Sequence, residues 1–200
     1  ISRVSLLAEV DELMTNSFRV AIIGCGLIGQ KRARSLGTAR LVVCADLEIE
    51  RARALADSVQ GGAATDNWRE AVSREDVDIV VVSTTNNALV EVAVTAVEAG
   101  KHVLIEKPAA RTVRELNSLI EVAVDRMGIV RVGFNHRYHP AFRKARELLD
   151  AGAVGELMFI RGRYGHGGRV GYEKEWRANP ALSGGGELID QGVHLIDLAR

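Results

Sequence analysis

Residues 18–46 read FRVAIIGCGLIGQKRARSLGTARLVVCAD. An apolar run, 20–23, leads into Gly24, Gly26 and Gly29, and a second apolar run, 41–45, stops at Asp46. The pattern predicts a strand, a glycine turn, a helix and a second strand. The three glycines serve different ends. Gly24 permits a tight turn, Gly26 lets backbone N–H groups approach a pyrophosphate, and Gly29 lets the helix pack closely on the strand. Leu27 and Ile28 lie between them, so Gly24, Gly26, Leu27, Ile28 and Gly29 form the candidate phosphate-binding turn. The anion would rest on the helix N-terminus, where free N–H groups and the dipole favour negative charge. Asp46 lies about 20 residues past the first glycine, where a carboxylate can accept hydrogen bonds from an adenosine ribose and repel a 2′-phosphate. The stretch therefore predicts dinucleotide binding, with NAD favoured over NADP.

Working outward, the same alternation repeats. Residues 47–59 carry apolar positions at helical spacing, 63–66 suit a short strand and 68–72 a short helix. Residues 78–83, DIVVVS, form a continuous β-branched run of the kind found in parallel strands covered on both faces. Thr84, Thr85, Asn86 and Asn87 follow at its carboxyl end, where ligands of open α/β sheets lie. One of these four is also needed to cap the helix expected over 89–99. The strand 102–105 delivers Glu106, Lys107 and Pro108 to the same edge. A cis Lys107–Pro108 bond would fix the lysine's direction. A helix over 112–126 and a strand over 129–134 complete a doubly wound parallel sheet of six or so strands.

Beyond 134 the pattern changes. Residues 135–140 read as a polar, aromatic connector, 141–150 as a helix, 157–164 as the one later strand and 187–200 as a helix. The expected organisation is an extension over 1–17, a Rossmann domain over 18–134 and, over 135–200, the beginning of an α+β domain. A single strand cannot bury its own apolar face, so a protein continuing past Arg200 is expected. The chain begins with Ile1, and Met14 precedes the first strand, so either a short extension or a start at Met14 is expected, with no function in the first residues.

The 200-residue chain is 47% apolar and 26% charged with zero formal net charge, which gives no basic excess for nucleic acid. No apolar run approaches the roughly 18 residues of a membrane helix, and the first residues lack a secretory cleavage site, which makes the cytoplasm the default. Cys25 and Cys44 do not make a CxxC pair and read as buried packing residues.

Three residues converge on one chemistry. Lys107 ends a strand at the cofactor edge, and Asp190 and His194, four apart, share a helical face. Oxidising an alcohol removes a hydride from carbon and a proton from oxygen. A neutral imidazole can take the proton and an ammonium can stabilise alkoxide charge. An acid–lysine pair directly after a buried strand is unusual for a plain surface, so Lys107 reads as functional. From spacing alone Asp190 and His194 read equally as a surface pair on a helix. With Asp197 they also have metal-ligand chemistry, but no second cluster completes a shell, and no metal is expected. Tyr164, His166, Tyr172, Trp176 and Arg177 lie on a loop that could cover a sugar, or that could be an ordinary loop. His136 and His139 flank Arg137 and Tyr138 in the connector.

Taken together, GCGLIG, EKP and GGGELIDQGVH resemble the Gfo/Idh/MocA family of oxidoreductases over 18–200. The resemblance implies a Rossmann domain followed by an α/β domain whose large open sheet often makes dimers. It implies that Lys107 is the catalytic lysine and that Asp190 and His194 lie at the substrate, with His194 accepting the proton. The carboxyl ends of the strands place Thr84, Thr85, Asn86, Glu106 and Lys107 at the cofactor. Asn135, Arg137 and Pro140 look like the family's NxR-type connector, and Asn135 and Arg137, with Tyr164, Trp176 and Arg177, are expected near the substrate. Members act on sugars, inositols or nucleotide-activated sugars, so an NAD-dependent dehydrogenase that is homo-oligomeric at full length is expected. The alternatives are an NAD-using glycoside hydrolase of the same fold and a non-catalytic dinucleotide-binding fragment. Two departures stand out. Thr85, Asn86 and Asn87 replace the family's frequent Pro-Asn-His, and Leu89 stands where a histidine is often seen.

Overall fold

The computed structural model of the protein describes residues 17–59, 61–165 and 170–200. The strands are β1 (Arg19–Ile23), β2 (Arg40–Ala45), β3 (Ala63–Thr65), β4 (Ile79–Val82), β5 (His102–Ile105) and β6 (Val130–Val132). They form one six-stranded parallel sheet in the order β3-β2-β1-β4-β5-β6. The order reverses between β1 and β4, and a crevice opens there at the carboxyl ends of the strands.

Period-2 alternation sorts the strand side chains between two cores. Ala21, Ile23, Val80 and Val82 face one side, with α3 (Trp68–Ser73), α4 (Asn86–Glu98) and α5 (Val113–Val124). Val20, Ile22, Cys44 and Val81 face the other, with α1 (Leu27–Ala33) and α2 (Ile49–Ser58). Both cysteines are buried in that second core. Ile22, Leu55, Leu89 and Ile105 are among the largest fully buried side chains. Burial of side chains this size contributes about 1.5–3 kcal/mol each, which explains why the central strands carry almost no polar residues.

Local chemistry sets the helix starts. Asn67 caps α3 by accepting from Arg69 N at 3.2 Å, and Thr112 caps α5 by accepting from Glu115 N at 3.2 Å. The helix expected from 89 begins three residues earlier, at Asn86, because Thr85 is extended and serves as the N-cap. That draws Asn86 into the first turn and buries Leu89 in the core.

After β6 a 3₁₀ turn, Asn135–Tyr138, leads into α6 (Pro140–Asp150). A short helix α7 (Pro180–Ser183) precedes a π-helical turn, Leu188–Gly192, that runs directly into α8 (Val193–Ala199). The strand expected over 157–164 is not formed. A strand exists through pairing, and among the described residues the sheet ends at β6 with no strand paired to 157–164. Leu157, Met158, Phe159 and Ile160 are accordingly exposed. No helix among the described residues is long and apolar enough to cross a membrane. The expected extension over 1–17 lies, except for Ser17, outside the described residues.

Candidate active site

The glycine turn is shaped by contacts that exclude any side chain. Gly24 has φ +93°, and a Cβ there would come within 2.6 Å of Ser83 O. Ser83 donates its hydroxyl to Gly24 O at 2.7 Å, joining the turn to the end of β4. At Gly29 a Cβ would lie 2.1 Å from Gly24 O, so this glycine permits α1 to close on the turn and does not itself line the crevice. Gly26 differs. Nothing lies within 4 Å of its missing Cβ, and it caps α1 without a side-chain bond, leaving the first-turn N–H groups facing open space.

The crevice holds about 560 Å³. At one end it is lined by Asp46, Leu47, Arg51, Asp66 and Trp68, in the middle by Gly24, Gly26, Leu27, Ile28, Thr84, Thr85 and Asn86, and at the other end by Glu106, Lys107, Trp176, Arg177 and Asp190. Asp46 Oδ2 accepts from Cys25 N at 2.8 Å and Oδ1 from Glu48 N at 3.0 Å, so the carboxylate is held beside the turn. This donor set fits a dinucleotide. Amides and an unfilled glycine cradle suit a diphosphate, and an oriented acid suits a ribose.

Lys107, on a cis Lys107–Pro108 bond, donates from Nζ to Asp190 Oδ1 at 2.5 Å and to the Asp190 carbonyl at 2.6 Å. Asp190 is buried, and burial alone would push its carboxyl up. The Lys107 hydrogen bond, with the Lys107 and Arg177 charges, instead holds it below the usual carboxylate range. Arg177 approaches Asp190 Oδ2 at 3.5 Å and stacks on Trp176 at 4.6 Å. The ammonium therefore sits at the crevice, aimed by a carboxylate from a distant helix.

His194 lies one turn beyond Asp190 and does not line the crevice. It is 5% exposed, and its Nδ1 has no hydrogen-bond partner among the described residues. Phe134 and Tyr164 meet its ring edge-on, and His136 stacks against it. Burial first, then the positive charge on His136 and Lys107, pushes His194 down to about 4. At neutral pH it is an uncharged base.

The other expected positions have different partners. Asn86 is buried and donates from Nδ2 to Ser183 O at 2.9 Å, pinning the segment that leads to Asp190. Arg137 donates from Nε to Asp197 Oδ2 at 2.7 Å, which ties the connector to α8. Asn135 is exposed, and Tyr164 lies with its hydroxyl 3.4 Å from His136 Nε2, so neither lines the crevice. Tyr172 lines it beside Trp176 and Arg177. His166 lies outside the described residues. Asp190 and Asp197, weighed above as metal ligands, are each paired with a cation, and no group of three His, Cys, Asp or Glu side chains among the described residues could hold a metal ion.

Sequence reasoning did not assign Arg32, whose Nε donates to Glu106 Oε1 at 2.6 Å. Its only signal was its place on the helix after the glycine turn. Gln191, whose Nε2 lies 3.2 Å from Asp190 Oδ2, was also missed. Trp68, read only as part of a helix, and Asp66 also line the crevice.

Residues 18–134 match the family model described as "Oxidoreductase family, NAD-binding Rossmann fold", and 142–200 match the GFO/IDH/MocA C-terminal domain. The chain is 31% identical to levoglucosan dehydrogenase of Pseudarthrobacter phenanthrenivorans, over 92% of this chain and 50% of that protein. It is 31% identical to inositol 2-dehydrogenase 2 of Saccharopolyspora erythraea, over 92% and 53%. Among solved structures, levoglucosan dehydrogenase in complex with NADH and levoglucosan superposes with a TM-score of 0.86 at 30% identity, covering 92% of this chain and 53% of that one. The chain spans about half the length of the curated relatives it matches.

Proposed function

The chain belongs to the Gfo/Idh/MocA family of oxidoreductases, and from that premise we propose that its crevice serves an NAD-dependent dehydrogenase acting on a hydroxyl carbon of a sugar, inositol or nucleotide-sugar. The observation that carries the reading is the Lys107–Asp190 pair at one end of a dinucleotide-shaped crevice. A solved relative holds NADH and levoglucosan, which supports the same cofactor and substrate class. The relatives are named as dehydrogenases, so NAD-using glycoside hydrolysis is not favoured.

Gly24, Gly26 and the first turn of α1 would hold the diphosphate, Asp46 the adenosine ribose, and Thr84, Thr85, Asn86 and Glu106 the walls toward the nicotinamide. A bound nicotinamide supplies the hydride acceptor. Lys107 places its charge at the substrate oxygen and stabilises the alkoxide that develops there, while Asp190 keeps the ammonium from rotating away. His194, uncharged at neutral pH, accepts the hydroxyl proton. Trp176 and Arg177 cover the substrate end. Asp46 favours NAD over NADP. We assign 18–134 to cofactor binding and 135–200 to the beginning of the substrate domain. For the full-length protein, the family resemblance implies a homo-oligomer, and the cytoplasm is the default location from the sequence.

The test is Lys107→Met in the full-length protein. NADH binding, followed by energy transfer from Trp68 and Trp176, is expected to persist, while turnover of the best substrate in a sugar and inositol panel falls by roughly 10²- to 10⁴-fold. Near-normal turnover would overturn the assignment.

A further inference from the structure

We propose that His136 is a positioning residue for His194, holding that imidazole in place and uncharged. The proposal rests on His194 acting as the base. The two rings come from different parts of the chain, His136 from the turn that leaves the sheet and His194 from the start of α8. Their centroids are 3.9 Å apart with the planes 38° from parallel, the closest ring pair among the described residues. Tyr164 closes the far side, edge-on to His136 at 5.1 Å and to His194 at 6.1 Å, and Phe134 meets His194 at 6.1 Å. His194 is thus walled by three rings, and with its Nδ1 unpartnered no hydrogen bond at that atom fixes the ring. Packing against His136 holds it instead.

Stacked imidazoles at this separation resist double protonation, because like charges so close disfavour the charged form. The charged and titratable groups around the pair are Lys107, from the end of β5, His139 and Arg137, from the connector, Tyr164, and Asp190 and Asp197, from the π turn and α8. Of these, Asp190 is paired with Lys107 and Asp197 with Arg137. Both acids still favour the charged form of His194, but by less than burial, His136 and Lys107 disfavour it, and neither accepts a hydrogen bond from His194. His136 itself is held below the ordinary imidazole value by burial, then by His139 and Lys107. Both rings are consequently neutral at pH 7, but His136 is the less buried of the two and takes a proton first on acidification. Its charge then opposes protonation of His194.

The experiment is an NMR pH titration of the histidines in the 200-residue chain, comparing the parent with His136→Phe and His136→Arg, and assigning His194 by the resonance lost in His194→Gln. Phenylalanine keeps a ring against His194 without a charge, so the His194 midpoint is expected to rise by about half a pH unit or more. Arginine can also stack but keeps the charge, and the midpoint is expected to stay at or below the parent value. A purely structural role would admit water in both variants and raise both midpoints alike. That outcome, or no movement in His136→Phe, overturns the proposal. Should His136→Phe fail to fold, His136→Gln decides. It also removes the charge, so the His194 midpoint is expected to rise there, and an unmoved midpoint rejects the coupling. No step depends on turnover, so the outcome is separate from that of Lys107→Met.

Discussion

Asp46 shows how one side chain is prepared for a ligand by the backbone around it. Its two oxygens each accept an amide, from Cys25 and from Glu48, so it is oriented before anything binds. Each oxygen retains capacity for a ribose hydroxyl, whereas a 2′-phosphate would meet a fixed negative charge. Replacing Asp46 with alanine is therefore expected to narrow the NADH-over-NADPH preference by about tenfold, the size of a hydrogen bond to a charged group. Parallel titrations with both dinucleotides check this. An unchanged affinity ratio would remove Asp46 from the ribose role. Asn86 teaches the converse lesson. It stands in the polar quartet after β4, yet its amide nitrogen is committed to Ser183 O. A position next to the crevice became a tie between α4 and the segment leading to Asp190.

Between elements, the ion pair of Arg32 and Glu106 connects the helix after the glycine turn to the segment that presents Lys107. The Glu106 side chain is 11% exposed, so the pair is largely out of water. Arg32→Met would leave a buried carboxylate without its cation, and a loss of about 3 kcal/mol in stability is expected from urea unfolding. Adding Glu106→Gln to that variant should recover part of the loss, since the two changes share one interaction. Purely additive effects would mean that the pair is not coupled. The π turn at Leu188–Gly192 carries the other half of the site, bringing the Asp190 carboxylate and carbonyl to a single ammonium. Such turns inside helices recur at functional sites.

Across the molecule, several buried and half-buried groups share one direction of pH dependence. His194 titrates at about 4 rather than 6.5, and His136 is also depressed. Between those values the unfolded chain binds more protons than the native one, so stability rises with pH through that window and is level above it. Asp190 and Asp78, both held below the usual 3.8, contribute stability that is present above that value and lost as pH falls through their native pKa. Unfolding midpoints in urea are thus expected to be flat from pH 8 to about 6.5 and to fall steadily toward pH 4. A His194→Gln variant should show a shallower decline. An identical slope in that variant would remove His194 from the acid transition.

The Rossmann half was legible because its signals are local. A strand buried on both faces reads as an unbroken β-branched run, a turn needing φ +93° reads as Gly24, and Asp46 follows at the spacing a crossover helix imposes. Lys107, Asp190 and His194 were nameable from their motifs and from the family they resemble. The failure at 157–164 has the opposite cause. Alternation describes a surface able to pair, while pairing needs a neighbour that local pattern cannot supply. Folding alone brings Arg32 to Glu106, Asn86 to Ser183, Arg137 to Asp197 and His136 to His194. Each joins segments far apart in the chain, and only the assembled sheet and the docked helices bring them within reach. Backbone conformation and strand patterning are written in neighbouring residues, whereas the partners of polar side chains depend on which distant surfaces meet.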